Sequence, residues 1–189
     1  MSRSIIITAL LLCTGAMLFA GDKKSVENFS LPDYNGRTIS LSNYDTSKAI
    51  VLMFIATQCP VSNAYNERYV QLYNDYSGKQ IAFIAINSNK AESADEIRTH
   101  AKEHGFVFPV LKDENNIIAD KLGAERTPEI FVLRPSSHEV LYHGRIDDAQ
   151  RESKITSRDL RSALDEILSG KPVTVKETKA FGCTIKRVN

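Results

Sequence analysis

The chain has 189 residues, 42% of them hydrophobic, and its 24 basic and 23 acidic side chains leave a net charge of +1. That length and apolar fraction suit one domain with its own core. A near-neutral chain without a run of like charges excludes the electrostatic footprint that nucleic acid or a polyanionic surface requires.

At the N-terminus, Arg3 precedes an apolar run from Ile5 to Leu12, and small and apolar residues continue to Ala20 before Gly21-Asp22-Lys23-Lys24. This pattern predicts a signal peptide over residues 1–20 and a periplasmic or secreted mature protein. The alternative is an uncleaved membrane anchor, although the stretch is shorter than the roughly twenty residues that span a bilayer. Lipidation at Cys13 is disfavoured because Leu10-Leu11-Leu12 puts no small residue before it. The mature chain then keeps Cys59 and Cys183 in a compartment where disulfides form and persist. Residues 21–172 read as one domain, and 173–189 as a tail without periodicity that carries Cys183.

Two short apolar segments flank Asn35-Gly36, a hairpin signal, so an N-terminal β-hairpin is expected. Val51, Leu52, Met53, Phe54 and Ile55 form an unbroken apolar run that suits a strand buried on both faces. The run stops at Ala56-Thr57-Gln58-Cys59-Pro60. Pro60 suits a first helical position, and Tyr65, Tyr69, Leu72 and Tyr73 recur at helical spacing, a stripe expected to pack on the sheet. Cys59 therefore stands at a helix N-terminus, where free N–H groups and the helix dipole favour a thiolate and make it a candidate nucleophile. An inert buried cysteine is the bland alternative.

Gln80 to Asn87 is a second buried strand. Ser93 with Glu96 forms a capping box for a helix through Ile97, Ala101 and His104 that Gly105 ends. Phe106 to Leu111, which contains Pro109, reads as an edge strand or extended loop. Asp113 to Leu122 reads as a short helix closed by Gly123. Ile130–Leu133 and Val140–Tyr142 are expected to pair antiparallel across Pro135-Ser136-Ser137, before a last helix from Ser157 or Asp159 that stops at Gly170 and Pro172. A hairpin, then β-α-β-α and β-β-α with a cysteine at the first strand-to-helix junction, predicts an α/β thioredoxin-like three-layer fold: a central mixed sheet flanked by helices, with the hairpin as an N-terminal extension.

Phe54-Ile55-Ala56-Thr57-Gln58-Cys59-Pro60-Val61-Ser62, Ala85-Ile86-Asn87-Ser88-Asn89, Arg126-Thr127-Pro128-Glu129-Ile130-Phe131-Val132-Leu133, Tyr142-His143-Gly144-Arg145-Ile146-Asp147-Asp148 and Gly182-Cys183-Thr184-Ile185-Lys186 resemble the peroxiredoxin-like branch of the thioredoxin superfamily, within the alkyl hydroperoxide reductase and thiol-specific antioxidant group. The resemblance runs from about Val26 to Lys186. It implies an oxidoreductase with Cys59 as the reactive cysteine, Thr127-Pro128 as the cis-proline loop facing it, and Arg126 near the place where peroxiredoxins hold an arginine beside the thiolate.

The departures are informative. Ser62 stands where a dithiol oxidoreductase has its second cysteine, which rules out a disulfide within the motif. Leu52 and Ala56 replace the Pro and the Thr or Ser that peroxiredoxins carry before the cysteine, with Thr57 displaced by one. Cys183 is then a candidate resolving cysteine, with a permanent Cys59–Cys183 staple and an unrelated free thiol as alternatives. A staple closing about 125 residues would constrain the unfolded chain by roughly 4 to 5 kcal/mol.

Ser62 reads either as a hydrogen-bond donor to the thiolate or as a solvated serine. Arg126 and Arg145 could lower the thiol pKa or are generic surface arginines. His100 and His104 have the spacing of a two-histidine metal site but lack a third ligand, so no metal and no cofactor is expected. The implied substrates are peroxides or disulfides, with an external thiol reductant, a transient protein disulfide partner, and no nucleic acid.

Overall fold

The computed structural model describes residues 24–188. The signal-peptide expectation for residues 1–20, including Cys13, lies outside the described residues. Among those described, no helix is long and apolar enough to cross a membrane.

A five-stranded mixed sheet forms the middle layer. Its centre is β3 (Ala49–Phe54), in which every residue is buried, as an unbroken apolar run requires. On one side β3 pairs parallel with β4 (Ile81–Asn87), and β4 parallel with β5 (Val110–Lys112). On the other it pairs antiparallel with β7 (Glu129–Leu133), which pairs antiparallel with β8 (Val140–Gly144). The mixed sheet and its helical layers confirm the thioredoxin-like fold class.

Alternation along β3 divides the core in two. Val51 and Met53 pack with Tyr65, with Tyr69 and Leu72 of α2 (Asn66–Tyr76), with Ile97 and Ala101 of α3 (Ala94–Glu103), and with Leu160 and Leu164 of α5 (Asp159–Leu168). Ile50, Leu52 and Phe54 face Ile118 and Leu122 of α4 (Ile117–Leu122), together with Phe29 and Ile39 from the hairpin. The tyrosine stripe is thus core packing.

Three local expectations change. The hairpin β1 (Ser30–Pro32) and β2 (Thr38–Ser40) forms, but Asn35-Gly36 is not a two-residue turn. Asp33 organises a longer loop, its Oδ1 accepting the N–H groups of Asn35 and Arg37, with Gly36 at φ +79°. The helix after Cys59 is split into a single turn, α1 (Pro60–Asn63), and α2, because Tyr65 N–H bonds to Ser62 O rather than continuing the α ladder. The helix expected from Asp113 starts at Ile117, since the Asp113 carboxylate accepts the N–H groups of Ile118 and Ala119 and serves as an external cap.

The topology gathers the chemistry at one pole. β3 and β4 run parallel, so their carboxyl ends lie together. β7 runs opposite, so its amino end joins them. Cys59 follows β3, Asn89 and Glu92 follow β4, and Thr127-Pro128 precedes β7, the carboxyl-end crevice where open α/β sheets hold their sites.

Candidate functional site

Cys59 is 3% exposed and caps α1, with its Sγ accepting the Ser62 N–H at 3.3 Å. On the facing side, the thiol lies 3.3 Å from Thr127 O, to which its S–H donates. The Thr127-Pro128 bond is cis, so this loop faces the cysteine as the resemblance implied.

The tail supplies the third wall. Residues 183–184 form β9, which pairs antiparallel with β6 (Arg126–Thr127) and sets Cys183 opposite Thr127. Gly182 permits this approach: with φ +149°, a Cβ there would stand 2.1 Å from Thr127 O. Ile185 is buried, and its N–H bonds to Glu125 O. The tail is therefore hydrogen-bonded onto the domain, and it brings together two cysteines far apart in sequence. Both are free thiols.

The electrostatics of the two thiols diverge. Burial opposes ionisation of Cys59, but hydrogen bonds from the Cys183 thiol and N–H and from the Ser62 N–H outweigh it, and its pKa falls below the ordinary 9.0. Burial and the neighbouring Cys59 sulfur push Cys183 above that value. Of the two thiols, Cys59 is the one whose surroundings favour the thiolate and Cys183 the one whose surroundings favour the thiol, an arrangement of attacking and waiting sulfur.

Two expected roles change at the level of atoms. Ser62 is buried and acts on Cys59 through its backbone N–H. Its hydroxyl instead accepts the Ala56 N–H at 3.1 Å and bonds Tyr69 Oη at 3.2 Å, so it is neither a side-chain donor to the thiolate nor a solvated serine. Arg126 neighbours Thr127 on a strand, so the two side chains point to opposite faces. Its guanidinium is exposed and reaches Gly182 O and Thr184 Oγ1 at 3.4 and 3.3 Å. It secures the tail strand, and the groups that lower the Cys59 pKa do not include it. Arg145 pairs with Asp159 at the start of α5 at 2.8 Å.

Two buried carboxylates were not anticipated. Glu129 Oε2 accepts the N–H groups of Glu125 and Arg126, and its Oε1 meets His143 Nε2 at 2.6 Å, so it braces the cis-proline loop from within the sheet. Burial opposes its charge, but the hydrogen bonds from His143 and the two N–H groups prevail and lower its pKa. The sequence signal was a lone Glu between Pro128 and the apolar run that follows. Glu92 lies under the Cys59 loop, in a cluster of Asn87, Asn89 and Glu92 after an apolar strand. Among the described residues no group of three or more His, Cys, Asp or Glu could hold a metal. The His100 and His104 rings lie 4.4 Å apart, tilted by 54°, beside Phe106.

Comparison with known proteins gives the family. The model of the AhpC/TSA family matches residues 23–142, and the chain belongs to that family. A protein of Bacillus thuringiensis named thiol-disulfide oxidoreductase ResA is 26% identical over 140 residues, covering 69% of this chain and 79% of its own. One of Mycobacterium tuberculosis, named "Putative peroxiredoxin MT2597", is 26% identical over 145 residues, covering 74% and 88%. The crystal structure of hypothetical protein SMc02350 from Sinorhizobium meliloti superposes with a TM-score of 0.82 at 33% identity, covering 88% of this chain and 94% of that one. The chain is thus a thioredoxin-fold oxidoreductase of the AhpC/TSA family.

Proposed function

We propose that the chain is an extracytoplasmic, peroxiredoxin-like thiol redox protein in which Cys59 is the nucleophile and Cys183 resolves it. One observation carries the proposal: the tail strand sets the free thiol Cys183 opposite Thr127, the residue whose carbonyl lies 3.3 Å from the buried Cys59 sulfur. The Cys59 thiolate attacks one oxygen of a hydroperoxide, the O–O bond breaks, and the alkoxide leaves as an alcohol after taking up a proton. The resulting sulfenic acid is attacked by the Cys183 sulfur. Its S–O bond breaks, hydroxide leaves as water with the Cys183 proton, and a Cys59–Cys183 disulfide forms. An external dithiol then restores both thiols by exchange. Location outside the cytoplasm is supported by the charged and apolar pattern of residues 1–20.

Burial favours a small oxidant, since Cys59 is 3% exposed and a bulky disulfide cannot reach it under the tail unless the tail moves. Peroxide consumption by the intact protein and by Cys59→Ser tests the proposal. Loss of the activity in the variant is expected, and equal rates would remove it.

The second reading is thiol-disulfide exchange on protein substrates. It is favoured by Leu52 and Ala56, which stand where peroxiredoxins carry the Pro and the Thr or Ser of their motif. Mixed disulfides trapped on Cys59 in a Cys183→Ser variant would establish it.

A further inference from the structure

Glu92 touches neither thiol, yet it is 2% exposed. A carboxylate removed from water must be met by donors, and four N–H groups meet this one. Its Oε2 accepts from Thr57 N at 2.6 Å and from Asn87 Nδ2 at 2.5 Å, and its Oε1 accepts from Gln58 N at 3.2 Å and from Asn89 Nδ2 at 2.7 Å. Thr57 and Gln58 are the residues immediately before Cys59.

The same network reaches the other cysteine. Asn89 Oδ1 accepts the N–H of Lys186 at 2.7 Å, and Lys90 N–H donates to Lys186 O at 3.1 Å. Only Thr184 and Ile185 separate Lys186 from Cys183. β9 is a two-residue strand, too short for its ladder alone to hold a register firmly. Two side chains therefore span the gap between the Cys59 loop and the Cys183 strand.

We infer that Glu92 is a positioning residue for the Cys59–Cys183 couple, holding the Cys59 loop directly and the Cys183 strand through Asn89. The inference rests on the proposal that the two cysteines form a disulfide during turnover. An amide at position 92 would set an NH2 against donors that need an acceptor, leaving at least one buried N–H unpaired and the loop free to shift. Loss of the Asn89 side chain would loosen the tail, which keeps only its Lys90–Lys186 backbone bond on this side, and spare the loop, because the loop N–H groups keep the carboxylate. The two substitutions therefore separate the two arms of one network.

Hydrogen peroxide, small enough to reach the buried sulfur, reads both steps in samples quenched over time and weighed intact. Oxidation of Cys59 to the sulfenic acid, with water as the leaving product, is the first phase, and attack of the Cys183 sulfur on it, with loss of a second water and formation of the disulfide, is the second. Asn89→Ala should slow the second phase roughly tenfold and leave the first within about twofold, because misplacement of one reacting group acts on closure alone. Glu92→Gln should slow both phases. A second phase unchanged in both variants, with a biphasic parent, would overturn the positioning role alone. A parent with no second phase would overturn the redox couple and this role with it. If Glu92→Gln fails to fold by circular dichroism, Asn89→Ala decides the matter.

Discussion

Thr127 and Cys183 stand opposite each other in an antiparallel pair of two-residue strands, and this pairing presents the tail cysteine to Cys59. Gly182 makes the approach possible, because any Cβ there would collide with Thr127 O. Gly182→Ala should displace β9, slow disulfide closure and cost roughly 1 to 3 kcal/mol, the range for forced backbone shifts. Urea unfolding and rapid alkylation after an oxidant pulse measure the two effects; closure at the parent rate would show that the pairing is not what presents Cys183.

Cys183 is predicted to tune Cys59 as well as to resolve it. Its thiol and N–H are among the donors that bring the Cys59 pKa below 9.0. With Cys183→Ala the thiol donor is lost, so the pH midpoint of Cys59 alkylation should move upward, with slower alkylation at neutral pH. A midpoint that stays in place or moves down would contradict the donor role.

Ser62 invites the opposite expectation. Its N–H, which any residue retains, serves Cys59, whereas its hydroxyl serves Ala56 and Tyr69. Ser62→Ala should therefore leave the alkylation midpoint nearly unchanged while costing about 1 to 3 kcal/mol for the buried groups left unpaired. A large midpoint shift at parent stability would reverse that assignment.

The cis-proline loop should be acid-sensitive. Hydrogen bonds hold the Glu129 pKa below its ordinary 4.5, so the folded carboxyl binds its proton less readily than the unfolded one. The stabilisation is present above about pH 4.5 and is lost as pH falls through the lower folded value. Glu129→Gln should cost roughly 1 to 3 kcal/mol at neutral pH and flatten the fall of the urea midpoint below pH 4.5. An equally steep fall in the variant would place the acid sensitivity elsewhere.

Much of the site was legible because its parts are local. An apolar run, Cys59 and Pro60 announce a strand, a reactive position and a helix start within a few residues, and Thr127-Pro128 marks the facing loop. The tail was opaque for a physical reason. β9 has two residues, no period, and a register set by a close contact at Gly182 with a loop far away in sequence. Glu92 and Glu129 escaped notice because a charged residue usually marks solvent, and only the folded chain shows the N–H groups converging on them. Ser62 does hydrogen-bond Cys59, one of the two expectations for it, but through its backbone N–H, since periodicity says where a residue stands and not which of its atoms does the work.

The central claim is that Cys59 and Cys183 form a redox couple, and a thiol count tests it most directly. The protein, freshly reduced, is given one equivalent of hydrogen peroxide, quenched with an alkylating agent and weighed intact. The account predicts loss of both thiols as an intramolecular disulfide that mild reductant reopens, and a sulfenic acid on Cys59 in Cys183→Ser. Both thiols still open to alkylation after the peroxide has been consumed would contradict it.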